Sequence, residues 1–163
     1  MPVVKTAELT FQGGMRFEAE LGSGARITFD ESSNGGPGPI EVVIATLAAC
    51  SAMDVVSIAL KKRQELAAYR IHVRGDQRDP YPQIYTRIDV VHEFEGPGLD
   101  TTALVRCIEL SAAKYCPVNA MLSASDTEVH HRYRIVRPDG PTEEGEVMVT
   151  GPDRRPDPLS ARG

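Results

Sequence analysis

An α+β fold in the order β-β-β-α-β-β-α-β is what this 163-residue sequence predicts, on three observations. The first is the run Pro39 to Leu60, PIEVVIATLAACSAMDVVSIAL, whose only charged residues are Glu41 and Asp54. A helix built from it has no polar stripe and must be covered nearly all round, so it belongs at the centre of the fold. The second is the alternation of apolar and polar residues, the period of a half-buried strand, on both sides of that run. The third is helical spacing of Leu104, Val105, Ile108 and Ala112 farther along, with Arg106, Glu109 and Lys114 on the opposite side.

The elements follow in order. Met15, Phe17, Ala19 and Leu21 alternate with Arg16, Glu18 and Glu20, and Ala25, Ile27 and Phe29 alternate with Arg26, Thr28 and Asp30. Gly13-Gly14 and Gly22-Ser23-Gly24 supply hairpin turns, so the first thirty residues read as antiparallel strands. Glu31 to Gly38 is a polar loop rich in Gly and Pro. It lacks the Lys-Ser/Thr of a phosphate loop and fits no dinucleotide fingerprint. Pro39 suits the first turn of the central helix, where Glu41 complements the positive end of the dipole, and Lys61 to Arg63 give the helix a cationic end. The span is long enough to cross a membrane, but two carboxylates, two serines and a threonine inside it favour burial in protein.

Tyr69, Ile71 and Val73 mark a further strand, and Ile84, Ile88, Val90 and Phe94 another, with the turn GDQRDPYP between them. Gly96-Pro97-Gly98 breaks the chain, Asp100 or Thr101 is placed to cap a second helix over 102–115, and Cys116-Pro117 interrupts it before a new turn, Val118 to Leu122. Val129, His131, Tyr133 and Ile135 form the last strand of the order. One domain is therefore expected over residues 1–137, followed by a polar Pro/Gly-rich C-terminal tail over 138–163 in which Val147, Met148 and Val149 are the one strand-like triplet.

Composition narrows the function classes. A net charge of −5 with interspersed signs leaves no basic stripe for a phosphate backbone, so no nucleic-acid partner is expected, nor a membrane. No charged n-region followed by an apolar h-region stands at the start, so no secretory leader is expected, and three cysteines is an odd count for a disulfide framework. The expected setting is the cytoplasm, with thiols reduced. His72, His92, His130 and His131 form no ligand spacing, so neither metal nor organic cofactor is expected; His131 reads as a strand residue that finds a hydrogen bond.

Cysteine carries the remaining chemical signal. Cys50 lies in the apolar helix among Ala48, Ala49, Ser51 and Ala52, small residues that let a backbone or a small substrate approach, with Asp54 one turn on along the same face. Cys116 begins a helical turn, where free N–H groups and the dipole are expected to favour a thiolate and lower its pKa. Two readings stand side by side: buried cysteines acting as small hydrophobes, or a functional pair. Cys107, among ordinary helix residues, reads as packing.

The motifs GPxPxEVVIATLAACSAMDVV and, about sixty-five residues later, KYCPV resemble those of the osmotically inducible and organic hydroperoxide resistance (OsmC/Ohr) family, and of its branch with a C-x-x-x-D-V-V helix in particular. The resemblance spans about residues 5–136. It implies two central helices wrapped by antiparallel sheets in an intertwined homodimer, and reduction of organic hydroperoxides with a lipoyl-type or other dithiol as reductant. It further implies that Cys50 is the peroxidatic cysteine, Cys116 the resolving one, and Glu41 the acid of the site. Two departures accompany it. The family acid directly follows the proline, where Ile40 stands here, and one helical residue turns Glu41 by about 100°; the family arginine before that proline has no counterpart between Phe29 and Gly38. Arg16 or Arg26 would replace it only by reaching across from a neighbouring strand. The alternative use of the same scaffold is a non-catalytic module that binds a hydrophobic small molecule or senses redox state.

Overall fold

The glycine turns bring the first strands back on themselves. In the computed structural model, which describes residues 2–152, β1 (Ala7–Phe11), β2 (Phe17–Leu21) and β3 (Arg26–Phe29) form an antiparallel sheet in that order. The register aligns Leu9 with Ala19 and Ile27, and Phe11 with Phe17 and Phe29, so the period-two pattern collects the apolar side chains on one face. That face is a concavity of about 620 Å³ lined by Leu9, Met15, Phe17, Ala19, Ile27 and Phe29. On the other face Arg26 pairs with Glu18 and Glu20, at 3.2 Å each. These strands belong to the first of two compact units, Met1–Val43 and Ile44–Gly163.

The helix α1 (Pro39–Lys61) begins in the first unit and runs on into the second. Within the second unit, β4 (Ala68–Gln77), β5 (Tyr85–Glu95), β6 (Glu128–Val136) and β7 (Glu143–Thr150) form a four-stranded sheet in sequence order. Between β5 and β6 lie α2 (Thr101–Leu110), one π-helical turn (Ser111–Tyr115) and α3 (Pro117–Ser123). Asp100 caps α2 by accepting from the Ala103 N–H at 2.9 Å. The core joins Val55 and Ala59 of α1 to Leu104, Cys107 and Ile108 of α2 and to Phe94 and Ile135 of the sheet, all fully buried. Each large apolar side chain buried there contributes about 1.5–3 kcal/mol.

Three expectations are corrected and one is refined. The sheet is not wholly antiparallel: β5 and β6 run parallel, because the helical connection between them is a crossover. The second helix does reach residue 115, but its α geometry ends at Leu110 and its last turn, Ser111–Tyr115, is widened to π before Pro117. The polar tail is shorter, since β7 pairs with β6 from Ile135↔Glu143 to Val129↔Thr150; the glutamates at its start alternate with Gly145, Val147 and Val149 and defeat a purely apolar search. The part of the expected tail beyond residue 152 lies outside the described residues. Finally, α1 is not covered nearly all round. Its buried residues are Leu47, Ala48, Ser51, Val55 and Ala59, an i, i+4 stripe with one neighbour. Met53 remains 74% exposed and Leu60 64%. The helix is long and apolar enough to cross a membrane by length and composition, yet only 28% of its most apolar window is buried within the chain.

Candidate active site

Two features of α1 place its functional side chains. At the N-terminus Pro39 takes the first helical position and Gly38 the cap, and Glu41 Oε2 reaches back to accept from the Gly38 N–H at 3.2 Å and from Ser32 Oγ–H at 3.2 Å. This is the N3 half of a capping box. Glu41 thus closes the loop of residues 32–38 onto the helix within the first unit, the local role its position in the first turn implied. In the helix centre Cys50 and Asp54, four residues apart, share a face beside the buried Ser51.

The partner element is built by a proline. Pro117 cannot continue the preceding helix, so Cys116 adopts an extended backbone (φ −76°, ψ 103°) and its N–H returns to Ser111 O at 2.9 Å across the π turn. Cys116 is then the cap of α3, its Sγ accepting from the Asn119 N–H at 3.4 Å. Ser111, at the start of the π turn, donates to Asp54 Oδ2 at 2.9 Å and lies 3.4 Å from Ser51 Oγ. The result is a cluster in which Cys50 Sγ, Cys116 Sγ and a carboxylate oxygen of Asp54 all lie within 4.8 Å of one another. Cys50 and Asp54 are half-buried and Cys116 is 2% exposed.

The electrostatics of Cys116 reverse the sequence expectation. Burial pushes its thiol up to about 12, outweighing the Asn119 N–H, and the hydrogen bond with Cys50 and the nearby Asp54 carboxylate act in the same upward direction. Desolvation of the charged form exceeds what one N–H and a seven-residue helix return. Cys116 therefore holds its proton. Cys107, buried in the core, bonds Ala103 O at 3.2 Å, and burial raises its thiol to about 11, as fits packing.

Behind Cys116 runs a buried polar chain that sequence reading missed apart from His131. Asn119 Nδ2 donates to Ala112 O at 3.1 Å and to Thr150 Oγ1 at 3.0 Å, and Asn119 Oδ1 lies 2.9 Å from His131 Nε2. A carbonyl only accepts, so Ala112 O fixes the amide orientation and makes His131 Nε2 a donor. His131 Nδ1 then accepts from His92 Nε2–H at 3.3 Å, and His92 Nδ1 accepts from Tyr69 O–H at 2.7 Å. Both histidines are neutral: burial pushes His131 down to about 4 and His92 well below its ordinary value. The one signal available beforehand was that the third residue after a helix cap offers its N–H to the cap side chain, which singles out Asn119.

Among the described residues no Lys, Arg or His lies within ion-pair distance of Asp54. Arg26 is engaged by its two glutamates, and Arg16 Nε donates to Gln12 Oε1 at 3.3 Å.

Comparison with known proteins places this arrangement. The family profile described as OsmC-like protein matches residues 31–132, which include both cysteines. Protein YhfA of Escherichia coli (strain K12) is 34% identical over 131 residues, 80% of this chain and 97% of that protein. A crystal structure of a protein from Aquifex aeolicus VF5 superposes with a TM-score of 0.75 at 29% identity, covering 85% of this chain and 100% of the other. The organic hydroperoxide resistance protein OhrB of Bacillus subtilis shares the fold, with a TM-score of 0.54, 18% identity, and coverage of 78% and 97%.

Proposed function

We propose that this chain, which belongs to the OsmC-like protein family, reduces organic hydroperoxides through Cys50 and Cys116, as a cytoplasmic homodimeric enzyme. The observation that carries the reading is the contact of a half-buried thiol with a buried, protonated one. Family members of the same fold named for organic hydroperoxide resistance support the substrate class.

The steps use the half-buried Cys50 as the attacking sulfur and the buried Cys116 as the proton donor. Cys50, as thiolate, attacks the terminal peroxide oxygen; the O–O bond breaks and the S–O bond forms, giving a sulfenic acid. The leaving alkoxide takes the Cys116 proton and departs as alcohol. The Cys116 thiolate so formed attacks the sulfenic sulfur, expels hydroxide and closes the Cys50–Cys116 disulfide. A dithiol, of lipoyl type or small, restores both thiols by exchange and becomes a disulfide itself. Burial, with a smaller contribution from Asp54, raises the pKa of Cys116, so that it keeps its proton for alkoxide, a far stronger base. Glu41 serves this scheme as the group that fixes the entry of α1.

The same pair of neighbouring thiols also suits a second use, as a redox sensor that forms the disulfide without sustained turnover. Consumption of cumene hydroperoxide with dihydrolipoamide separates the two. The enzyme reading expects sustained turnover by the wild type and its loss in Cys50→Ser with the fold retained. Consumption that persists in Cys50→Ser overturns both readings, and a single stoichiometric event in the wild type selects the sensor.

A further inference from the structure

The cluster also has the donor set of a soft-metal site. We propose that Cys50, Asp54 and Cys116 bind a thiophilic divalent cation of the zinc and cadmium class, and that oxidation of the two thiols releases it. Binding stands on geometry alone; release rests on the peroxide chemistry proposed above.

Two thiolate sulfurs and one carboxylate oxygen are the ligands such ions prefer, at about 2.3 Å for sulfur and 2.0–2.2 Å for oxygen. Tetrahedral bonds of those lengths put neighbouring ligand atoms about 3.5–3.8 Å apart. Here all three atoms lie within 4.8 Å, so side-chain rotations of about 1 Å close the set. The ligands come from two elements, Cys50 and Asp54 from one face of α1 and Cys116 from the start of α3, which clamps an ion from both sides. Ser111 supplies the support that orients a carboxylate ligand, its hydroxyl donating to Asp54 Oδ2 at 2.9 Å. The half-buried Cys50 and Asp54 give the ion an entry path and a fourth position for water.

The balance is simple. Uptake converts M²⁺ and two thiols to a metal dithiolate and two protons, so it tightens as pH rises. Release takes one hydroperoxide and two protons and gives the Cys50–Cys116 disulfide, M²⁺, alcohol and water. Two electrons pass from the thiolates to the O–O bond and the metal changes no oxidation state.

Titration of the reduced full-length protein with Cd²⁺, followed by thiolate-to-cadmium ultraviolet absorption, tests the site. One Cd²⁺ per chain is expected, with affinity at least about tenfold weaker in Asp54→Asn and Ser111→Ala. Cys50→Ser and Cys116→Ser should lose the two-thiolate band, Cys107→Ser should retain it, and the oxidised disulfide form should take up no metal. Circular dichroism identifies any variant that fails to fold. No band in the reduced wild type, or equal binding in Cys50→Ser and Cys116→Ser, overturns the proposal. Peroxide turnover without cadmium uptake sinks the metal site alone, whereas cadmium uptake without peroxide consumption sinks the enzyme reading and leaves the site standing.

Discussion

Asn119 joins three things at once: its backbone N–H reaches Cys116, its amide nitrogen spans to Ala112 and Thr150, and its amide oxygen receives His131. Truncation to alanine leaves the His131 N–H and the Ala112 carbonyl buried without their partner, at about 1–3 kcal/mol for each. Asn119→Ala should therefore lower unfolding free energy by about 2–6 kcal/mol in urea denaturation; a loss below about 1 would mean that water replaces the amide. The histidines set a pH dependence with a definite sign. An unfolded His131 protonates near 6.5, the folded one near 4, so the unfolded state binds more protons between these values. Stability is full above about 6.5 and falls by about 3 kcal/mol as pH drops to about 4, with His92 adding in the same direction. Denaturation at pH 7.5 and pH 5 checks this, and no difference between them would contradict neutral buried histidines. At this scale the sequence pointed to Cys50, Cys116 and Asp54 by residue type and spacing. It did not point to the direction of the Cys116 shift, because a helix start is local whereas burial depends on what the rest of the unit packs against it.

The helices were legible where signals are local. Proline at the first position with Glu41 two residues on, and Asp100 before α2, are capping chemistry that the structure repeats. Two devices were not legible. The π turn of Ser111–Tyr115 has no composition of its own, although it sets Ser111 against Asp54 and passes the chain to Cys116. The end of α1 is the other: Gln64 N–H returns to Ala59 O and Arg63 N–H to Leu60 O, each at 3.0 Å, with Arg63 left-handed at φ 57° where glycine is usual. A left-handed side-chain residue costs about 1–2 kcal/mol and glycine loses about 0.5–1 in chain entropy. Arg63→Gly should therefore raise the thermal midpoint, by about 0.5–1 kcal/mol of stability; a lower midpoint would show that the guanidinium contributes more than the backbone costs.

At the scale of the whole molecule, α1 explains why pattern alone overstated its cover. The sequence required a helix shielded on every side, and the chain by itself shields one stripe, with Met53 and Leu60 left in water. Leu9, Phe11 and Met15 on the first sheet are likewise 57%, 62% and 57% exposed. The homodimer proposed above would cover apolar surface of this kind. Sedimentation should give about twice the 17.7 kDa chain mass, and Phe11→Asp with Leu9→Asp should shift it toward one chain; a wild type that sediments as a monomer would remove the homodimer from the account. Of β7 only Val147, Met148 and Val149 stood out beforehand, because a strand paired on one edge and rich in glutamate reads as tail composition.

One measurement bears most directly on the central claim: reduced protein mixed with a single equivalent of cumene hydroperoxide, quenched with a thiol-alkylating reagent, and mapped by peptide mass. The account predicts one Cys50–Cys116 disulfide, an unmodified Cys107, and in Cys116→Ser a trapped Cys50 sulfenic acid. Alkylation of both Cys50 and Cys116 with the peroxide still present, or a disulfide that uses Cys107, would contradict it.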